Sequence, residues 1–171
     1  MDVTKPIVPP AAQFLRADAI RGGMDLLMFA HKSHLNRADE SLAAQGLGRA
    51  HHRALYVVSR RPGISVGSLL STLGITKQSL GRVLKKLTDD GLLECRTSTQ
   101  DRRVKMLYLT DKGAALEHEL FDQLQANMAR AYAAAGEAAV VGYWTLMQHL
   151  MDETAHRHFL AFNETSRPLP R

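Results

Sequence analysis

Between residues 65 and 109 the spacing of apolar residues changes once, from a helical period to a strand period. Ser65 and Thr76 each precede a short segment in which apolar residues recur at three- and four-residue steps, and Gly74 and Gly91 end these two segments. Serine and threonine are favoured at the start of a helix and glycine just after its end. The sequence therefore predicts two short helices joined by a tight turn, which is the helix-turn-helix pattern.

After Gly91 apolar and polar residues alternate, as they do in a strand with one buried face. Two such runs, 92–96 and 104–109, flank the polar stretch 97–103, so a two-stranded hairpin is predicted. A helix, a helix-turn-helix and then a hairpin is the order of elements in a winged helix. The predicted fold class is therefore mainly α with a small β-wing.

The second helix of the pair has a polar, cationic side opposite the apolar stripe between Leu80 and Leu87. Gln pairs with adenine and Arg with guanine in the major groove, Ser adapts to either, and Lys further along the helix contacts phosphates. The alternative interpretation is an ordinary amphipathic helix with one solvated face. The predicted DNA-binding residues of this helix are Lys77, Gln78, Ser79, Arg82, Lys85 and Lys86.

The tip of the predicted hairpin carries an aspartate followed by two arginines, Asp101, Arg102 and Arg103. Arginine is favoured in the narrow minor groove of A·T tracts, whereas aspartate repels phosphate. The aspartate has a purpose on such a loop if it holds one arginine through a charge-assisted hydrogen bond and leaves the other free. We predict that Asp101 shapes the tip and that Arg102 or Arg103 contacts DNA. The alternative is a solvent-exposed turn.

The positive charge of the chain is concentrated in its middle. Between Arg49 and Lys112 there are 13 Lys and Arg against 5 Asp and Glu, a net charge of +8, while the rest of the chain has a net charge of −3. Such segregation is expected when one part of a protein faces a polyanion. From charge alone, a solvated basic surface is an equally good explanation.

The segments LGITKQSLGRVLKKLTDDGLL, DRR and LYLTDKG together resemble the MarR family of bacterial transcriptional regulators. The resemblance is strong between Leu47 and Gly113, and the flanking helices match in length and order only. It implies that the helix after the turn enters the major groove, that DRR belongs to the wing, and that the first and last two helices form a dimer interface. Ser79 and Arg82 then occupy recognition-helix positions. The family varies at Gln78 and Ser79, so the operator sequence does not carry over.

The predicted organisation has long N- and C-terminal dimerisation helices around the winged helix-turn-helix. The first long helix is predicted over about 15–44; the glycine pair Gly22-Gly23 interrupts its apolar pattern, which a bend or close packing against another helix would explain. Residues 137–162 are predicted as one last helix. The apolar stripes of these helices are too extensive for one small winged helix to cover, so they are predicted to pack against a second copy. A two-fold dimer places two recognition helices about 34 Å apart on a pseudo-palindrome. The predicted parts are a flexible arm 1–15, a helical dimerisation region 16–45 and 111–163, a DNA-binding region 47–110 and a tail 164–171.

Eight histidines raise the question of a metal or ligand site. His31 and His34 lie one helical turn apart, and His51 and His52 open the next helix. Zinc between these helices and His118 is one alternative, but no Cys lies nearby, and packing or capping histidines are the default. The preferred hypothesis is that the four histidines line the cleft in which MarR-like proteins accept small aromatic or anionic ligands. No metal and no cofactor are predicted.

The single cysteine, Cys95, excludes an internal disulfide and is typical of a reducing compartment. It lies in the first wing strand, where an inward-facing structural thiol is favoured over a redox switch. No apolar run approaches the roughly 18 residues of a membrane helix, and prolines stand where a signal peptide has its apolar core. A cytoplasmic protein without a membrane partner is predicted.

The chain also lacks GxxxxGK[ST], GxSxG and HExxH, so no enzyme is predicted. The predicted function is a sequence-specific regulator of transcription that binds double-stranded DNA. It acts as a homodimer on a pseudo-palindromic operator, as a repressor on family grounds, under the control of a small ligand. The alternative is a winged helix that serves as a protein–protein interaction module.

Overall fold

The computed structural model describes residues 7–164. Residues 1–6 of the predicted arm and 165–171 of the predicted tail lie outside this range. The contacts divide the chain into two units, residues up to Arg37 and residues from Ala38 onward. The helices are α1 (Ala17–Ala43), α2 (Arg49–Arg60), α3 (Val66–Leu73), α4 (Lys77–Asp89), α5 (Asp111–Ala135), α6 (Glu137–His149) and α7 (Glu153–Glu164), and a single 3-10 turn spans Ala11–Gln13. The strands are β1 (Ile64–Ser65), β2 (Leu93–Thr97) and β3 (Lys105–Leu109).

The caps that the sequence predicts for the helix-turn-helix are present. Ser65 Oγ accepts a hydrogen bond from the Ser68 amide at 3.0 Å, and Thr76 Oγ1 accepts one from the Ser79 amide at 3.2 Å. Gly74, between the two helices, has a φ of 62°, which glycine adopts at little cost. These local interactions fix where α3 ends and where α4 begins.

The small sheet has three antiparallel strands in the order β1-β3-β2. The hairpin register pairs Leu93 with Leu109 and Thr97 with Lys105, and β1 adds Ile64 opposite Leu107. The sequence predicted only the two strands of the hairpin, because a two-residue strand is too short to show an alternating pattern. The predicted mainly helical fold with a small β-wing is confirmed.

One core holds α2 to α5 and the base of the sheet together. Its larger fully buried side chains come from every one of these elements, and α1 contributes its last turns through Ala38 and Leu42. Because α4 buries three of its residues in this core, its other side is presented at a fixed orientation. The fully buried large side chains are Leu42, Leu55, Leu69, Leu80, Leu87, Leu107, Leu120 and Val58.

The start of α5 is packed tightly against the backbone that follows α4. Thr110 Oγ1 donates to the Gly91 carbonyl at 2.6 Å and accepts from the Gly113 amide at 3.0 Å. A Cβ at Gly113 would lie 1.9 Å from the Leu92 carbonyl oxygen, so only glycine fits there. The LTDKG segment thus joins the wing, the end of α4 and the long helix α5.

One detail of the long helices differs from the sequence prediction. The predicted last helix is two helices, because Asp152 Oδ1 accepts from the Ala155 amide at 2.7 Å and caps a new helix there. Helix α1 is continuous through Gly22-Gly23, as predicted, and among the described residues nothing lies within 4 Å of a Cβ placed at either glycine. Glycine lowers helix stability by about 1 kcal/mol relative to alanine but does not by itself break a helix.

Candidate nucleic-acid interface

Helix α4 separates its residues sharply into a buried and an exposed side. Leu80, Val83 and Leu87 are buried in the core, and the predicted DNA-binding residues occupy the remaining surface. Four of these are exposed and two, Ser79 and Lys86, are half-buried. The exposed ones are Lys77, Gln78, Arg82 and Lys85. The structure therefore brings the predicted residues of α4 onto one accessible face.

Three of these side chains are available to a ligand. Lys77, Gln78 and Arg82 make no side-chain hydrogen bond or ion pair with any residue in the range 7–164. Long flexible donors without a protein partner can reach base edges or phosphates without first breaking a contact. This is the arrangement that a DNA-contacting helix requires.

The two lysines of α4 pair with aspartates one turn further on. Lys85 Nζ lies 2.6 Å from Asp89 Oδ2, and Lys86 Nζ lies 3.0 Å from Asp90 Oδ1. Exposed pairs of this kind contribute about 0.3–0.5 kcal/mol, so a phosphate can replace the aspartate at little cost. The aspartates also neutralise part of the charge at this end of the helix.

Ser79 has a structural role in addition to its predicted contact. Its amide donates to Thr76 Oγ1 at 3.2 Å, and its hydroxyl accepts from the Thr76 hydroxyl at 2.9 Å. The Ser79 hydroxyl proton stays available for donation because these contacts use only its oxygen. Ser79 therefore belongs to the helix cap as well as to the exposed face.

At the tip of the wing, Asp101 holds one of the two arginines. Asp101 Oδ1 accepts from the Arg103 amide at 2.9 Å and from Arg103 Nε at 3.2 Å, and Asp101 Oδ2 accepts from Arg103 Nη2 at 3.4 Å. The backbone bond first, and then the side-chain bonds, lower the pKa of the Asp101 carboxyl. Arg102 has no side-chain partner within the described part of the chain. The held arginine is Arg103 and the unpaired one is Arg102.

The loop around this pair is ordered by its own hydrogen bonds. Ser98 Oγ accepts from the Gln100 amide at 3.2 Å, and the Ser98 amide donates to the Val104 carbonyl at 2.9 Å. The Val104 amide in turn donates to the Asp101 carbonyl at 2.9 Å. Because the backbone is fixed on both sides of Arg102, the direction in which this side chain leaves the loop is fixed as well.

Arg96, a cation of the wing, was not among the predicted DNA-binding residues. Its guanidinium lies 4.5 Å from the centre of the Tyr108 ring and pairs with Glu94. The signal was present in the alternation of β2 and β3, which places Arg96, Glu94 and Tyr108 on the same face of the sheet. Arg96 adds an exposed positive group to the wing.

The four predicted ligand-binding histidines lie in different units of the chain. His31 and His34 are on α1 in the first unit, where burial first and the charge of His31 second lower the pKa of His34. His51 and His52 open α2 in the second unit. The described residues contain no group of three or more metal-ligating side chains.

On α2 the two histidines have distinct surroundings. His51 Nδ1 accepts a hydrogen bond from the Gly48 amide at 3.0 Å, so this side chain caps the helix. Burial lowers the pKa of His52, and the charge of Asp39 opposes that change. His118 on α5 lies 3.4 Å from Asp122 and is exposed. The default interpretation of a capping histidine therefore holds for His51.

The predicted inward orientation of Cys95 is wrong, because its side chain is exposed. Cys95 shares a sheet face with the buried Leu93, as alternation requires. Leu107, opposite Cys95 on the central strand β3, is also buried, so the core covers this face at β3 and leaves Cys95 uncovered on the edge strand β2. None of the helices within residues 7–164 is long and apolar enough to cross a membrane.

A core of helices, a capped helix-turn-helix with a cationic second helix, and an arginine-tipped hairpin define a winged-helix DNA-binding protein. Comparison with known proteins then identifies the family within this class. The profile of the MarR family matches residues 45–104. HTH-type transcriptional regulator PetP of Rhodobacter capsulatus is 43% identical over 146 residues, which cover 85% of this chain and 88% of that protein. The chain belongs to the MarR family of transcription regulators.

Solved structures agree on the fold. The MarR family transcription regulator SP03579 superimposes with a TM-score of 0.70 at 18% identity, over 90% of this chain and 98% of that one. FabT of Streptococcus pneumoniae, solved in complex with DNA, gives a TM-score of 0.69 at 19% identity, over 77% and 94% of the two chains. Membership in the family makes the chain a DNA-binding regulator of transcription, and the prediction that it is not an enzyme is confirmed.

Proposed function

We propose that the chain is a cytoplasmic repressor that binds a pseudo-palindromic operator as a homodimer and responds to a small ligand. The α4 face reads bases in the major groove, and the wing tip enters the adjacent minor groove. Lys77, Lys85 and Lys86 contact phosphates, while Gln78, Ser79 and Arg82 face base edges. Repression rests on family membership, and the other parts of the proposal rest on the observations below.

The observation that carries the reading role is the exposed polar side of α4. Arg82 is exposed and has no protein partner in the described range, and it lies opposite a stripe buried in the core. A rigid helix with a free guanidinium at its centre suits bidentate recognition of guanine. A helix whose exposed face served solubility alone would need no such concentration of unpaired donors.

We propose a separate role for each arginine of the wing tip because Asp101 holds Arg103 and not Arg102. Asp101 fixes Arg103 and lowers the repulsion that two adjacent free cations would feel. Arg102 is thereby left as the side chain that enters the minor groove, and Arg103 contributes to the shape and charge of the tip. We also propose a DNA-binding region 47–110 between dimerisation helices 16–45 and 111–163.

Homodimerisation accounts for apolar surface that one chain leaves uncovered. Helix α6 has no buried residue, and apolar side chains of α1 are also exposed. Monomeric proteins rarely expose apolar area of this extent, and a helix that is apolar on all sides is normally buried. The exposed apolar side chains include Ile20, Met24, Leu26, Leu27, Met28 and Phe29 on α1, and Val141, Tyr143, Trp144 and Leu146 on α6.

The proposed effector is a small aromatic or anionic molecule. The candidate contacts are His31 and His34 on α1 in the first unit and His51 and His52 on α2 in the second, each pair considered by itself. Burial favours the neutral form of His34 and His52 by lowering their pKa, and neutral imidazole both donates and accepts hydrogen bonds. A set of aromatic acids added to the purified chain tests this point. A raised melting temperature that is lost in His52→Ala is expected, and no shift with any compound would contradict it.

Selection of genomic duplex fragments by the purified chain, at two salt concentrations, tests the DNA-binding proposal. Enrichment of a pseudo-palindromic site is expected, with an affinity whose logarithm falls by about 0.9 per phosphate contact for each tenfold rise in salt. An Arg102→Ala variant is expected to lose affinity most at sites with A·T-rich flanks. Binding without any enriched site would favour the alternative, a winged helix that acts through protein partners.

A further inference from the structure

Helix α7 is docked on the DNA-binding region of its own chain through Phe162. Arg60 Nη2 on α2 donates to the Phe162 carbonyl at 2.8 Å, and the Arg60 guanidinium lies 5.8 Å from the centre of the Phe162 ring. The ring of Tyr56, also on α2, lies 6.4 Å from the same ring. Phe162 is partly buried against the core. The last turns of α7 are therefore fixed to α2.

A second contact joins α7 to α3. His158 Nδ1 lies 3.5 Å from Thr72 Oγ1, whose hydroxyl donates to the Ser68 carbonyl at 2.9 Å. Which of the two atoms donates is set by the tautomer of the imidazole and by the rotation of the Thr72 hydroxyl.

The remaining nitrogen of His158 has no partner in the described structure. Its Nε2 is buried and makes no hydrogen bond to any described residue. A buried ring nitrogen without a hydrogen-bond partner carries a desolvation cost that an apolar side chain of similar size would not carry. His158 therefore serves poorly as a purely stabilising contact. What it supplies instead is a directional contact with one side chain, Thr72.

Thr72 lies at the end of α3 that leads into the turn before α4. It is in the last turn of α3, and three residues, Gly74 to Thr76, separate that helix from α4. Arg53 on α2 donates to the Leu73 carbonyl at 2.8 Å, so the same turn is held from another direction. A short turn transmits a displacement of α3 directly to α4 because it has few torsions to absorb it.

We propose that α7 is a positioning element for DNA recognition and that His158 is its positioning residue. By holding the last turn of α3, His158 fixes the angle at which α4 is presented to the bases. The inference rests on the proposed reading role of α4. It adds that a residue of the C-terminal helix, distant in sequence from the helix-turn-helix, determines sequence selectivity.

The test replaces His158 by leucine in the full chain and measures three quantities: melting temperature, affinity for the selected duplex and affinity for a scrambled duplex. His158→Leu removes the unpartnered nitrogen, so the melting temperature is expected to stay the same or rise. The ratio of the two affinities is expected to fall about tenfold, the effect of one misplaced base contact. A contact that only stabilised the fold would not lower this ratio while stability was kept.

Thr72→Val removes the other partner and provides an independent variant if the first does not fold. It should lower the ratio similarly, and the double variant should be no worse than either single one, because the residues act through one contact. Arg157→Ala, an exposed change on the same helix, is the control and should leave the ratio unchanged. Folded His158→Leu and Thr72→Val proteins with the original ratio would overturn the inference.

The outcome for Arg82→Ala separates this inference from the proposed function. A lower ratio in Arg82→Ala with an unchanged ratio in His158→Leu would overturn the positioning role alone. An unaltered chain that prefers no duplex over its scrambled form would overturn the reading role of α4 and the positioning role together.

Discussion

Apolar side chains are buried in the region from Ala38 to Leu120 but exposed on helix α6. All buried hydrophobic side chains within residues 7–164 lie between Ala38 and Leu120, whereas α6 has none and leaves Trp144 and Leu146 about half exposed. The first region exposes cations on α4 instead of apolar groups. The difference indicates that one region folds around a core of its own, and that α6 needs a second surface to cover it.

An ion pair and a hydrogen bond join helices within the region that has the core. Asp39 and Arg49 form a bidentate ion pair with a shortest distance of 2.6 Å, and Ser59 Oγ donates to Glu117 Oε2 at 3.0 Å. Both contacts join helices of the region with the core. Around α6 the side-chain contacts involve aromatic residues: the Trp144 ring lies 6.2 Å from that of Phe159, and Trp144 Nε1 donates to the Tyr132 hydroxyl at 3.1 Å. Aromatic groups that stay partly exposed are typical of interface anchors.

The largest expected effect comes from a pair of glycines, one in each region. Gly113→Ala places a Cβ 1.9 Å from the Leu92 carbonyl oxygen, and it should lower the free energy of unfolding by about 4 kcal/mol. Gly142→Ala on α6 meets nothing within 4 Å and should change it by less than about 1 kcal/mol. Urea denaturation measures both. An equal loss of free energy of unfolding in the two variants would contradict the claim that Gly113 is tightly packed and Gly142 is not.

A pair of leucines sharpens the same comparison. Leu55→Ala empties a site with no exposure and should cost about 3 kcal/mol at every protein concentration. Leu146, on α6, is 57% exposed, so Leu146→Ala should hardly affect a single chain but should weaken self-association. Chemical denaturation and sedimentation equilibrium give the two quantities. Unchanged association in Leu146→Ala would contradict the proposed role of α6.

The exposed cations of α4 are predicted to contact DNA, and alanine substitutions test which of them contact bases and which contact phosphates. Arg82→Ala should reduce operator affinity by about 2 kcal/mol and relax the preference at one base pair. Lys85→Ala should weaken binding to every duplex alike and reduce the salt slope by about 1, as expected for a phosphate contact. Fluorescence anisotropy on selected and scrambled duplexes separates these results. A uniform loss in Arg82→Ala would reassign that residue to phosphate binding.

The smallest expected effect concerns the half-buried His52. Its pKa is lowered by burial from the ordinary value of 6.5, so the unfolded chain binds this proton more readily than the folded chain. The resulting contribution to stability is complete above that value and is lost as the pH falls through the lower folded pKa. His52→Gln should therefore flatten the decline of stability with acid, although His34 retains part of it. Urea denaturation at a series of pH values measures this decline, and an unchanged decline in His52→Gln would contradict the assignment.

Much of the central region could be predicted because its signals are local. Ser65 and Thr76 cap the helices that they were predicted to cap, and α5 spans Asp111–Ala135 as its spacing indicates. The carboxylate–arginine contact at the wing tip followed from chemistry alone. Which of the two arginines it holds did not, because the turn of the backbone brings Arg103 rather than Arg102 to Asp101.

The differences from the sequence prediction arise where the decisive interaction is distant or the signal is short. Strand β1 has two residues, which cannot display a period, and it exists because β3 pairs with it. The break before α7 carries neither glycine nor proline, and Asp152 supplies the cap. Alternation predicted the correct face for Cys95 but not that the core leaves the edge strand β2 uncovered at this residue. The docking of His158 on Thr72 joins residues far apart in sequence and had no local signal.

The central claim is that two chains bind one duplex, each through its own helix-turn-helix and wing. A hydroxyl-radical footprint of the unaltered chain on its selected duplex tests this claim most directly. Two protected stretches related by two-fold symmetry are expected, with centres about 10 base pairs apart on one face of the duplex. A single protected stretch at saturating protein, with no symmetry-related second one, would contradict the account.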